Sequence, residues 1–261
     1  MSGDGDTAER SLAHWSEAGR SQMEAFYRVA TLDYRELAHA FDWSALVRDR
    51  LAARAPLRIL DVACGSGKFP AALRAHTEVG ELAGTPLVLD LLDPSAFSLA
   101  EAGASLAPPM RAGRRFEARL QDLPAGAGGY DLVWAVHALY ALPEAELAAG
   151  VEAFVRALAP DGLGFVAQAT TTAHYLAFYE AYLAGRRGGT PYTSAEAVVA
   201  AFEAAGARVE VRPIRYTQVI EDDAVLEGFL QRCLFDASST LDAMRADPRL
   251  GSYLAARRDA A

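Results

Sequence analysis

At 261 residues the chain is long enough to bury one large α/β core with appended helices, and its net charge of −9, with a pI of ≈ 5.1, disfavours a polyanionic partner. Two cysteines, Cys64 and Cys233, cannot build a disulfide framework, and the polar first twenty residues lack the apolar centre of a signal peptide. With no apolar run near the roughly 20 residues of a membrane span, the expectation is a cytoplasmic protein acting on a neutral or cationic small molecule, without nucleic acid, membrane or metal.

Residues 1–10, rich in Gly, Ser and Asp, read as a frayed tail. From 17 to 41 the pattern is helical: Met23, Phe26, Tyr27 and Ala30 recur on one helix face, and Tyr34, Leu37 and Phe41 continue it. Asp42 or Ser44 can cap a further helix to about residue 55, with Leu46, Val47 and Leu51 inward. Residues 1–56 are thus expected as a helical extension, either a lid over the ligand-binding edge of a sheet or a flank support. Trp15, Phe26, Tyr27 and Tyr34 give it more aromatic surface than a flank requires. Residues 57–261 are expected to form the sheet-based domain.

Leu57, Ile59, Leu60 and Val62 form the continuous apolar run of a buried parallel strand, which breaks at Asp61-x-Ala63-x-Gly65-x-Gly67 and leads into a helix. Gly65 and Gly67 can take positive φ and admit a ligand to the backbone, and the amides of the helix start favour electron-rich groups. A P-loop is excluded, because Val62 stands where its first glycine belongs and Phe69 where Ser or Thr is required. The dinucleotide fingerprint fails at Pro70, which replaces its third glycine.

A second apolar run over 86–92 ends in Asp93-Pro94-Ser95, with Asp93 about 25 residues past the glycines. A carboxylate there can accept both ribose hydroxyls of an adenosine, and the same tripeptide is also a good turn and helix start. Phe116, Ala118 and Leu120 alternate as a third strand ending in Asp122-Leu123-Pro124. Tyr130, Asp131, Leu132 and Val133 open a fourth, which gives way to helix at His137 and Tyr140. His137 can bind a ligand's backbone, order a substrate, take a proton, or be satisfied by local backbone. Residues 158–163 read as a helix end and turn, and 164–169 as a fifth strand.

In this order, the turn from Asp61 to Gly67, Asp93-Pro94, Asp122-Leu123 and the opening at Tyr130 resemble the four motifs of the class I S-adenosylmethionine-dependent methyltransferases. Ala63 departs from the pattern, standing for its first glycine. The resemblance implies a Rossmann-like, doubly wound, mostly parallel α/β sheet with S-adenosyl-L-methionine as cofactor. It also implies cofactor contacts at Asp61, Ala63, Gly65, Gly67, Asp93, Pro94, Asp122, Leu123 and His137, with Asp122 receiving the adenine amino group.

Further on, Tyr175, Phe178, Tyr179 and Tyr182 have helical spacing, which favours core, with Tyr175 or Phe178 available to hold an amine or sulfonium cation. Residues 194–205 read as a capped helix and 208–220 as a long alternating strand. Helical segments at 241–245 and 250–257 then end the chain without the apolar alternation of a final antiparallel strand, so either that strand is absent or 208–220 is rearranged.

The aromatic helix, Tyr192-Thr193-Ser194, the 208–220 segment and residues 225–235 resemble the carboxyl half of the histamine N-methyltransferase group, as do Asp93-Pro94-Ser95 and residues 137–140. That resemblance implies a small-molecule acceptor, foremost an amine methylated on nitrogen, in secondary metabolism. His137, Tyr140 and Tyr175 become the catalytic candidates, and Tyr27, Asp33 and Phe178 the substrate-facing ones. His137 stands where the group has a glutamine, and Asp33 is the candidate for its substrate-gripping acid. Other reactions use the same cofactor, namely cyclisation with release of methylthioadenosine and transfer to carbon or oxygen, and a non-catalytic binding protein is a further reading.

Overall fold

The computed structural model describes residues 7–14, 17, 20–82, 84, 86–184, 186 and 189–258. Five strands form its sheet: β1 (Leu57–Val62), β2 (Leu87–Asp93), β3 (Met110–Glu117), β4 (Tyr130–Val136) and β5 (Leu158–Ala167). Their order is β3-β2-β1-β4-β5 and every pairing is parallel, with the reversal of order falling between β1 and β4. Ligands of such sheets bind beyond the carboxyl ends of the strands at that reversal.

Continuous apolar runs follow from burial on both faces. Leu57, Ile59, Leu89, Leu132 and Trp134 pack on one side, and Leu60, Val62, Leu92, Val133 and Ala135 on the other. The first side is covered by α3 (Trp43–Ala53), α4 (Lys68–His76) and α5 (Ala96–Ser105), the second by α6 (Glu144–Ala157) and α8 (Ala195–Ala204). Asp42 caps α3, accepting the Ala45 amide at 2.9 Å, because its short carboxylate reaches a donor that the first helical turn leaves unpaired.

The amino-terminal extension divides between the two roles open to it. Trp43 of α3 is 1% exposed and meets Phe165 at 4.7 Å, Phe69 at 5.4 Å and Trp134 at 6.3 Å between ring centroids, so α3 is part of the core. Trp43→Ala is therefore expected to cost about 3–5 kcal/mol, read as a lowered denaturant midpoint. In contrast α2 (Arg20–His39) lies over the carboxyl edge, where Phe26, Ala30, Asp33 and Tyr34 line a cavity. The expected tail is a helix, α1, from Thr7 to His14, and its Ser11 hydroxyl lies 3.2 Å from that of Tyr140. Residues 1–6 and Trp15 lie outside the described residues.

The roof over the same edge is completed from the far end of the chain. Helices α7 (His174–Leu183), α9 (Asp223–Leu234), α10 (Leu241–Ala246) and α11 (Pro248–Arg258) share an apolar cluster, and Phe26 and Val29 of α2 pack against it. Stacking of Phe26 on Phe229, at 5.5 Å, joins the two ends.

Three expectations change. The third strand runs over Met110–Glu117, earlier than the Phe116 to Leu120 alternation, and Leu120–Asp122 is a single 3-10 turn. This is an edge strand carrying Arg111, Arg114 and Arg115, so its sequence has little apolar period to read. The turn expected at 158–163 is taken up inside β5, as a break in register between the Tyr130↔Leu158 and Leu132↔Leu163 pairs. Gly162 permits it, since a Cβ there would stand 2.7 Å from the Tyr130 carbonyl oxygen.

Residues 208–220 form no strand. Pro213 interrupts the alternation, and the segment is tied to α2 instead: Gln218 Nε2 donates to the Val29 carbonyl at 2.9 Å and to Asp33 Oδ1 at 3.2 Å. Among the described residues no final antiparallel strand is present, and no helix is long and apolar enough to cross a membrane.

Candidate functional site

The bend after β1 is built from strained and glycine backbone. Ala63, Gly65 and Gly67 have φ of 50°, 52° and 72°. Ala63 thus takes the left-handed conformation for which a glycine is suited, at a steric cost that a glycine avoids. Gly67 is needed for a second reason, because a Cβ on it would fall 2.1 Å from Ser105 Oγ and 3.2 Å from Ala102 Cα of α5.

Asp93, 6% exposed at the tip of β2, ties this bend to the next helix. Its Oδ2 accepts the Gly65 amide at 3.0 Å and its Oδ1 accepts the Ser95 amide at 2.9 Å. Burial raises its pKa, and the Ser95 and Gly65 amides pull it back down. Each carboxylate oxygen keeps capacity for another donor, so ribose hydroxyls can be received without breaking the brace. Pro94 follows in the turn, whereas Asp122 is exposed and pairs with Arg119 at 2.8 Å, beside the buried Leu123.

Asp61, 4% exposed at the tip of β1, is in a different state. Burial pushes its pKa up to about 7, against the pull of the Trp134 indole and with a further push from the Asp93 charge. Its Oδ2 has no hydrogen-bond partner among the described residues, nor does the nearby Ser66 Oγ. An unsatisfied buried carboxylate oxygen is costly, and a ligand ammonium would offset that cost. The bend, with braced Asp93 and unsatisfied Asp61, therefore fits a nucleoside carrying a cationic amino-acid arm.

The sign of the pH dependence follows. A carboxyl whose pKa is raised stabilises the fold while protonated, and that contribution is lost as pH rises from the ordinary aspartate range through about 7. A bound cation requires the carboxylate, so affinity for a cationic ligand is expected to fall toward tenfold per pH unit below about 7, with proton release on binding. Calorimetry in buffers of different ionisation heat checks both.

Beside the bend lies a cavity partly open to solvent. Its lining includes Asp33 and Tyr34 of α2, His137 and Tyr140 beyond β4, Gln168 beyond β5, Tyr175 of α7, and Arg232 and Cys233 of α9. His137 has φ of 50°, and its amide donates to the Ala167 carbonyl at 2.9 Å, which fixes it at the joint tip of β4 and β5. Backbone strain of this kind collects at functional sites.

Asp33 is 2% exposed and accepts the Tyr175 hydroxyl at 2.9 Å and Gln218 at 3.2 Å. His137 Nε2 stands 3.8 Å from Asp33 Oδ2 and has no hydrogen-bond partner among the described residues. Burial lowers the His137 pKa, with Asp33 opposing, so the imidazole is neutral near pH 7 and can accept a proton. Gln168 donates through Nε2 to the Thr193 carbonyl at 2.7 Å while its Oε1 is unsatisfied. The polar lining is thus rich in acceptors set among aromatic rings.

His137, Tyr140, Tyr175 and Asp33 are brought together. Two candidates lie elsewhere. Tyr27 is on the glycine bend: its hydroxyl is 3.9 Å from where a Gly65 Cβ would be, and Lys68 Nζ is 4.6 Å from its ring centre. Phe178 is fully buried in the helical roof, stacked on His174 at 5.4 Å, because its helix turns that face into the cluster. Sequence reasoning missed Gln168, Tyr192 and Arg232. Arg232 did carry a signal, a charge between Leu230 and Cys233 on the apolar face of a helix.

Residues 59–162 match the family model described as the methyltransferase domain. The magnesium protoporphyrin IX methyltransferase of Synechocystis PCC 6803, solved with bound S-adenosylhomocysteine, is similar over 82% of this chain and 96% of its own. Its identity is 14% and its TM-score 0.56, which shows the Rossmann-like methyltransferase fold. The plantazolicin methyltransferase BpumL is 15% identical over 97% of this chain and 76% of its own, with a TM-score of 0.46. The N-methyltransferase NodS of Bradyrhizobium japonicum WM9 is 18% identical over 62% and 71%, with a TM-score of 0.41. No curated protein matches the chain.

Proposed function

We propose that this S-adenosylmethionine-dependent methyltransferase methylates the nitrogen of a small amine, with Asp33 gripping the acceptor and His137 receiving its proton. The observation that carries the reading is the buried Asp33 carboxylate 3.8 Å from an imidazole nitrogen, in an aromatic cavity beside the glycine bend. The resemblance of Asp93-Pro94-Ser95 and residues 137–140 to the histamine N-methyltransferase group supports the same choice, as does the unsatisfied Gln168 Oε1, an acceptor suited to an N–H.

The cofactor, when bound, supplies a methyl group already activated on a sulfonium. Asp93 would hold its ribose, Asp61 its ammonium and Asp122 its adenine amino group, with Ala63, Gly65, Gly67, Pro94 and Leu123 shaping the bed. The remaining work is alignment and water exclusion, to which positioning can contribute about 7–11 kcal/mol. α2 forms one wall and, as a lid, would close over the acceptor. Asp33 and the rings of Tyr34 and Tyr175 orient the amine, His137 Nε2 takes its proton, and the freed lone pair accepts the methyl group. Tyr140, lining the same cavity, would assist in ordering the acceptor.

Incubation of the full chain with S-adenosylmethionine, with and without a panel of small amines, tests this by product mass. The expected products are S-adenosylhomocysteine and an N-methylated amine, formed only together. Methylthioadenosine formed without an acceptor would replace transfer by cyclisation, and a methyl group on oxygen or carbon would move the acceptor class. A place in secondary metabolism belongs to this proposal as its context.

A further inference from the structure

Gln168, the residue after β5, brings an oriented carbonyl oxygen to the cavity. Its Nε2 donates to the Thr193 carbonyl at 2.7 Å, and because a carbonyl can only accept, the amide has a single orientation in which Oε1 is the end left over. Thr193 is itself fixed: it is 6% exposed, its amide donates to the Tyr140 carbonyl at 2.9 Å and its hydroxyl to the Leu142 carbonyl at 2.6 Å. Gln168 Oε1 is buried and has no hydrogen-bond partner among the described residues. The sheet register sets it beside His137, since Val136 pairs with Ala167 and the His137 amide donates to the Ala167 carbonyl, so both side chains leave from neighbouring strand tips. His137 Nε2, also buried and without a partner among the described residues, stands 3.8 Å from Asp33 Oδ2. A carboxylate, an imidazole nitrogen and an amide oxygen thus line one cavity, each able to receive a hydrogen.

We propose that this set counts hydrogens on the substrate nitrogen: Asp33, His137 and Gln168 select a primary amine, and the reaction stops after one methyl group. This rests on the amine reading above and narrows it. A primary ammonium has three N–H bonds. One breaks, its proton passing to His137 Nε2 and its electron pair staying on nitrogen, and the two that remain are received by Asp33 and by Gln168 Oε1. The pair on nitrogen then forms the new N–C bond as the S–C bond breaks and leaves its electrons on sulfur, giving S-adenosylhomocysteine and a methylated ammonium. A secondary amine, once deprotonated, keeps a single N–H, so it leaves either Asp33 or Gln168 Oε1 unpaired in a buried site, which is costly. The first product is therefore a poor second substrate.

The test uses the full chain and probe pairs that differ by one N-methyl group: tyramine and N-methyltyramine, phenethylamine and N-methylphenethylamine, tryptamine and N-methyltryptamine. Product mass with S-adenosylmethionine is expected to show a single added methyl group on the primary member. Calorimetry in the presence of S-adenosylhomocysteine should show that member binding about tenfold or more tighter than its N-methyl partner. Gln168→Met keeps most of the side-chain bulk but removes the oxygen, so it should bring the two members within about threefold and let a second methyl group be added, with S-adenosylmethionine affinity held within about threefold. A doubly methylated product from the wild type, equal binding of the two members, or a preference that survives Gln168→Met, as a purely steric one would, each overturns the proposal. Should the Met variant lack a cooperative melt, the two wild-type measurements decide alone. Selective binding of primary amines with no N-methylated product from any probe would overturn the transfer reading and leave a primary-amine site, and binding of no probe would overturn both.

Discussion

Asp93→Ala is expected to weaken S-adenosylmethionine binding by a hundredfold or more, about 3 kcal/mol, because the side chain does two things at once. It is the acceptor proposed for the ribose, and it holds the Gly65 amide at 3.0 Å and the Ser95 amide at 2.9 Å. Removing it leaves both donors unsatisfied and frees a bend whose Ala63 and Gly65 sit in left-handed backbone. Asp93→Asn separates the two effects. Its amide oxygen can keep one brace but cannot accept on both sides, so affinity should fall less and the fold should keep its melting temperature. Calorimetry with S-adenosylmethionine and with adenosine alone reads the result. A wild-type dissociation constant in Asp93→Ala would sink the assignment of this carboxylate to the cofactor.

The two halves of the site differed in how plainly the sequence announced them. The half proposed for the cofactor is local: Asp61 ends one strand with Gly65 and Gly67 just after it, Asp93 ends the next, and a buried parallel strand has a continuous apolar run that marks its own end. Strand tips adjacent in the sheet are then adjacent in space by topology alone. The half proposed for the acceptor is assembled from α2, the tips of β4 and β5, α7 and α9, separated by up to two hundred residues, and no local period encodes that meeting. Asp33 was visible only as an acid amid an aromatic helix, and Tyr27 and Phe178 were aromatic enough to be site residues yet turned to the glycine bend and the core. Residues 208–220 misled for a related reason. Alternation shows that a segment can be half buried, but a strand also needs a partner ladder, and here side-chain bonds to α2 took its place.

His137→Ala is expected to lower turnover by about 10²–10⁴ while leaving S-adenosylmethionine affinity nearly unchanged, because the imidazole lines the cavity proposed for the acceptor, with Asp33 and Tyr175, rather than the glycine bend. The pH profile carries the sharper test. Burial holds the His137 pKa below its ordinary value of 6.5, so the imidazole is a competent base at pH 7 and loses that role as pH falls through its lowered pKa. The acid limb of kcat/KM should therefore lie below 6.5 in the wild type. Asp33 opposes that lowering from 3.8 Å, so Asp33→Asn should move the limb to still lower pH, besides raising KM for the acceptor. His137→Gln keeps a polar group at this strand tip but cannot titrate, and should retain part of the turnover with no limb of its own. If His137→Gln kept the wild-type limb, or if His137→Ala weakened cofactor binding as much as turnover, the imidazole would belong to the cofactor shell and Asp33 alone would face the acceptor.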